Sequence, residues 1–101
     1  MKQLKKIDNC ISLVDSTNPA YENDKVTIMV VYVGLCRTDL YVANNKIKTN
    51  DIILGHEFSG IVIYDPTNTF KILDSVTVNP LQNNKFMGLD FDGCLQTYIN
   101  V

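Results

Sequence analysis

Positive charge is scarce in this chain. Its 101 residues contain one arginine, Arg37, and one histidine, His56, and the net charge is −2. The sole cationic grouping is Lys2, Lys5 and Lys6. Gripping a phosphate backbone takes many cationic contacts, so nucleic acid is excluded as a partner. Long apolar runs are missing as well. The longest, Ile28 to Cys36, falls far short of the roughly 20 residues of a bilayer-spanning helix, so no membrane partner is expected. "MKQLKK" has the basic start of a signal peptide, but Asp8, Asn9 and Asp15 break up the residues after it, and secretion is not expected. Cysteine is confined to Cys10, Cys36 and Cys94, an odd number with no C-x-x-C pair. That argues against a disulfide framework and excludes a self-contained four-cysteine zinc knuckle. It points to a reducing compartment, and the expected location is the cytoplasm.

What is present suits one soluble globular domain over residues 1–101, with 46% hydrophobic and 20% charged residues. Strand signals dominate. "KVTIMVVYV" (Lys25 to Val33) is β-branched and apolar on both faces, with Val26, Ile28, Val30 and Tyr32 on one side and Thr27, Met29, Val31 and Val33 on the other. Such a strand is expected inside a sheet. "FSGIVIY" is a second run, ending at the "DPTN" turn. "DSVTVNP" and "LQTYINV" supply two more, the latter after an Asp92-Gly93 turn, and "LKKI" with "CISLV" suggests an N-terminal hairpin. One helix is expected from about Thr38, capped by that threonine, with Asp39 at its positive end and Asn44-Asn45 as its stop. The fold class is mostly β, a barrel or sandwich of short strands with one or two short helices.

Chemistry concentrates between Gly34 and Val62. Thiolate, imidazole and carboxylate are the three side-chain types that bind zinc, and Cys36, His56 and Glu57 supply one of each. Cys36 follows a strand at a helix start, where the macrodipole favours a thiolate; a small buried core residue is the other reading of that position. His56 reads either as a ligand, with Asp39 fixing its tautomer, or as a hydrogen-bonded histidine of no special role. Glu57 reads as a ligand or as a solvated carboxylate. Arg37 is suited to clamping a phosphate, or to a surface ion pair. Thr38 is suited to relaying a proton, to capping the helix, or to both.

The order "YVGLCRTDLY…ILGHEFSGIV…FKILDSVTVNP…DGCLQTYINV" resembles the N-terminal, GroES-like catalytic domain of the zinc-dependent medium-chain alcohol and polyol dehydrogenases. The resemblance runs from about Val26 to Val101 and is most specific at "GLCRTD" and "GHEFSGIV". It implies a partly open β-barrel. It assigns Cys36 and His56 as ligands of one catalytic zinc and Glu57 as the neighbouring carboxylate that binds the metal in polyol-dehydrogenase-like members. It assigns Asp39 to orienting the histidine, Thr38 to accepting the substrate's proton, and Arg37 to the pyrophosphate of a nicotinamide cofactor.

Several positions depart from the family pattern. A lobe with four closely spaced cysteines is absent, since "LQNNKFMGLDFDG" passes straight through. Tyr41 stands where many members have a proton-relaying histidine. Leu73-Asp74 replaces a Gly-Asp turn, and leucine resists a positive φ, so that turn is expected to be built another way. No G-x-G-x-x-G occurs, so no Rossmann domain is expected within these residues. The expected function is the zinc-binding half of an alcohol or polyol dehydrogenase, inactive alone, acting on a small alcohol and using NAD(P) with a Rossmann-fold domain or chain. The alternative is a GroES-like binding module or truncated remnant prone to self-association.

Overall fold

Lys2–Ile7 and Cys10–Asp15 form strands β1 and β2, joined at Asp8-Asn9. Both turn residues are left-handed (φ 49° and 66°), a geometry that Asp and Asn tolerate and whose twist matches a two-residue hairpin. This is the expected N-terminal hairpin. The structure, a computed structural model, describes residues 1–101. It continues with β3 (Thr27–Gly34), α1 (Arg37–Ala43), β4 (Ile52–Ile53), β5 (Glu57–Tyr64), β6 (Ser75–Thr77), β7 (Leu81–Gln82), β8 (Lys85–Phe86) and β9 (Tyr98–Asn100). The strands pair antiparallel in three sheets, β2-β1-β4, β6-β5-β3-β9 and β7-β8. Residues 93–97 join the first two sheets. Leu4 N–H donates to Leu95 O (2.8 Å), Leu95 N–H to Leu54 O (2.9 Å) and Val30 N–H to Thr97 O (2.9 Å). The result is the expected mostly β, partly open barrel with one short helix and no Rossmann unit. That helix has seven residues, and no helix is long and apolar enough to cross a membrane.

β3 lies between β5 and β9, as its two apolar faces imply. Its simple alternation does not survive, however. Val30 pairs with Gly60 and Tyr32 with Ser59, so Val31 is an extra residue that shifts the register. Such a bulge exchanges the faces beyond it. Val33 therefore joins Val30 against the barrel core, while Tyr32 is 76% exposed.

Two apolar clusters hold the fold. Ile28, Phe58, Met87, Cys94 and Ile99 fill the barrel, and Val42 of α1 packs on Ile52 and Leu54 beneath the helix. The chain passes from the second cluster at Leu54 to the first at Phe58, and His56 sits at the crossing.

Two turns differ from the sequence expectation. Leu73 does take a positive φ (75°), donating its N–H to Val62 O (2.7 Å), so the turn before β6 is built with the glycine-type conformation after all. The left-handed region costs a leucine about 1–2 kcal/mol, which the sheet continuing into β6 offsets. Asp92-Gly93 is not a turn. Gly93 runs alongside residues 53–55, donating to Ile53 O (2.8 Å), and the turn lies earlier, at Gly88–Asp90.

The N-terminal lysines do not form a solvated cluster. Lys2 pairs with Asp15 (2.6 Å), whereas Lys6 is 1% exposed and its Nζ has no hydrogen-bond partner. Lys6 shares the β1 face of Leu4, which packs on the cluster under α1. An unpaired buried ammonium is a liability that methionine, with a similar stem, removes. Lys6→Met is expected to raise stability by about 1–3 kcal/mol, read as a higher urea midpoint. A lower midpoint would mean that Nζ has a partner in solution.

Candidate metal centre

The site begins where β3 ends. Gly34 closes the strand, and Cys36 caps α1 in extended backbone (φ −96°, ψ 158°). The cap is therefore Cys36, with Thr38 half-buried inside the first turn. Asp39 completes the helix start from within, since its Oδ2 accepts the Cys36 N–H at 2.9 Å. Its other oxygen, Oδ1, lies 3.3 Å from His56 Nδ1. Both side chains are deeply buried, at 7% and 5% exposure for His56 and Asp39. One carboxylate thus ties the backbone of Cys36 to the ring of His56. A proton on Nδ1 facing Asp39 leaves Nε2 as the free donor, the arrangement of ligand histidines.

His56 reaches this place because Gly55 before it adopts φ 96°, which carries the chain from β4 into β5 past Cys94. Glu57 is the first residue of β5, exposed, and directly opposite Gly34. A Cβ at position 34 would stand 3.3 Å from Glu57 Oε2, so the glycine leaves the cradle in which the carboxylate rests. The donor atoms of Cys36, His56 and Glu57 all lie within 4.8 Å of one another. Tetrahedral zinc holds such donors about 3.5 Å apart, so small side-chain rotations close the set. Sulfur, imidazole nitrogen and carboxylate oxygen fit zinc in kind, and three protein donors leave a fourth position open. Cys94, fully buried behind Gly55, is not a fourth donor. It lies outside the converging donor set, and burial pushes its thiol up to about 12, with the charges of Asp39 and Glu57 adding to the effect.

Arg37 is exposed at the helix start and makes no ion pair. It is free to meet an anion. Tyr41, in the family's relay position, instead lies under Lys46 Nζ, 5.4 Å from the ring centroid. Leu35 and Leu40, 66% and 54% exposed, flank Cys36 and Asp39 in the chain and give this region an apolar rim.

One neighbour of the site is absent from the sequence reading. Phe86 on β8 lies against His56, ring centroids 4.9 Å apart and planes tilted by 57°. Its signal is the Asn83-Asn84 pair, a two-residue hairpin turn between strands too short to show periodicity.

The alcohol dehydrogenase GroES-like domain family matches residues 22–101. D-arabitol-phosphate dehydrogenase of Enterococcus avium is 36% identical over 61% of this chain and 18% of its own length. The crystal structure of galactitol-1-phosphate dehydrogenase from Escherichia coli superposes with a TM-score of 0.86 at 27% identity, covering 100% of this chain and 36% of that one. Zinc-dependent alcohol dehydrogenase 2 of Streptococcus pneumoniae shares the fold, with a TM-score of 0.82 at 22% identity over 100% of this chain and 35% of that one. The chain thus spans about a third of the length of these solved relatives.

Proposed function

The chain belongs to the alcohol dehydrogenase GroES-like domain family, and we propose that it is the zinc-holding catalytic part of an alcohol or polyol dehydrogenase, working with a Rossmann cofactor domain. The observation that carries this reading is the convergence of Cys36, His56 and Glu57 donors within 4.8 Å, with Asp39 behind the histidine. A zinc ion bound there would supply Lewis acidity that lowers the pKa of an alcohol and eases hydride loss from the adjoining carbon.

The remaining work falls to the chain's own side chains. Asp39 keeps the proton on His56 Nδ1 and the ring in place. The Thr38 hydroxyl, close to Cys36 in the first turn of α1, takes the proton that the alcohol gives up. Arg37, exposed and unpaired, contacts the pyrophosphate of NAD(P) through its planar fork. Leu35 and Leu40 form a wall that excludes water once a cofactor domain closes over the site. The two polyol-phosphate dehydrogenases among the similar proteins favour sugar alcohols or their phosphates as substrates.

Joined to the Rossmann domain of a family member, the chain is expected to reduce NAD(P) when supplied with a sugar alcohol or its phosphate. The His56→Ala version of the same fusion should not. A folded, zinc-loaded fusion that reduces no cofactor across such a panel would overturn the proposal.

A further inference from the structure

The stretch from Leu81 to Asp90 has no part in the chemistry above, yet it fixes one side chain with unusual care. Asn83 and Asn84 are both left-handed (φ 51° and 61°) and turn β7 back onto β8, setting Leu81 opposite Phe86. Phe86 N–H donates to Asp90 Oδ2 (2.7 Å), and Phe86 O accepts from the N–H groups of Asp90 (2.8 Å) and Leu89 (3.1 Å). The next residue, Met87, is 1% exposed in the barrel core and donates its N–H to Pro80 O (2.9 Å). The backbone of Phe86 is therefore held from both sides, and its ring rests on His56 at 4.9 Å between centroids. The imidazole has a carboxylate at Nδ1 and a benzene ring at 57° to its plane.

We propose that Phe86 is a positioning residue for His56: it confines the imidazole to the orientation in which Nδ1 meets Asp39 and Nε2 is presented to a metal beside Cys36 and Glu57. The inference rests on reading those three residues as a metal site. Asp39 alone fixes only one atom of the ring, which can still pivot about its side-chain bonds. A ring packed on the imidazole restricts that pivot and keeps water from competing for Nδ1. A donor ordered in advance loses less freedom on binding, so the gain is in metal affinity.

The chain's single histidine makes the test direct, because every imidazole signal belongs to His56. In the metal-free full chain, nitrogen NMR should find one tautomer, with the proton on Nδ1. Phe86→Ala should give a mixture that includes the tautomer favoured by histidine in water, and cobalt(II) affinity, read from the thiolate charge-transfer band, should fall about tenfold. Phe86→Leu keeps the bulk that folding needs and should move both readouts the same way, by less. Lys85→Ala, exposed on the other face of the hairpin from Phe86, should leave both unchanged.

A folded Phe86→Ala or Phe86→Leu protein with wild-type tautomer and cobalt affinity would overturn the proposal. So would an equal shift in Lys85→Ala, which would place the effect in the hairpin rather than the ring. If wild type binds no cobalt, the metal reading fails by itself. The tautomer comparison still decides what Phe86 does.

Discussion

Cys36→Ala is expected to weaken zinc binding by roughly a hundred- to a thousandfold while leaving the fold intact. Zinc sites are worth about 10–16 kcal/mol, or about 3–4 kcal/mol for each donor lost. Cys36 lies in neither apolar cluster, so little packing goes with its sulfur. The Cys36 N–H that closes the helix start on Asp39 belongs to the backbone and survives the substitution. Competition with a chromophoric chelator measures the affinity, and circular dichroism checks the fold. An unchanged affinity would mean that the thiolate is not a donor and that Cys36 is a packing residue.

Gly93→Ala is expected to cost about 3 kcal/mol or more and to disturb the site from behind. A Cβ there would stand 2.1 Å from Gly55 O and 2.5 Å from Leu54 O, and both are backbone atoms that cannot swing aside. Relief requires the 93–95 segment to part from residues 53–55. That stretches the bonds from Gly93 N–H to Ile53 O, Leu95 N–H to Leu54 O and Cys94 N–H to Gly55 O. These bonds carry the peptide that leads into His56. Domains of this size are stable by only about 5–15 kcal/mol. Just 18 of 101 residues are buried, which places this one toward the lower end. The melting temperature should fall by about 12 °C or more. A drop of less than a few degrees would mean that the two segments are less tightly apposed than described.

Gly93 also marks a limit of reading the sequence alone. Asp-Gly is a strong turn signal, and the position does demand glycine, but the demand comes from backbone passing at close range and not from a reversal of the chain. Local chemistry cannot separate these two needs, because both amount to the absence of a Cβ. Leu73 fails in the opposite sense. Its side chain argues against a positive φ, and the continuing sheet imposes one all the same.

Long apolar runs are legible. β3 and β5 fall close to their expected spans because eight-residue strands of β-branched residues leave few alternatives. The bulge at Val31 is not legible, since nothing in "MVVYV" marks which valine is the extra one. β4, β7 and β8 escape a sequence reading for a simpler reason: two residues cannot display a period.

The candidate site divides along the same line. Cys36, Asp39 and the His56-Glu57 pair stand out because their order resembles a known family, not because spacing along the chain implies contact. The structure brings them together through one helix start and one strand start. Thr38 and Arg37 flank that cluster in the first turn of α1, and their assigned tasks involve a substrate and a cofactor rather than contacts within the chain. Phe86 carries no motif and is visible only in three dimensions.

The measurement that bears most directly on the candidate metal centre is metal content, by elemental analysis, of the 101-residue chain purified without metal affinity and dialysed against metal-free buffer. About one zinc per chain is expected, carried by three protein donors and an open fourth position, and it should be lost in Cys36→Ala. A wild-type chain that retains no zinc, and takes up none when the ion is added back, would contradict the reading of Cys36, His56 and Glu57 as a metal centre.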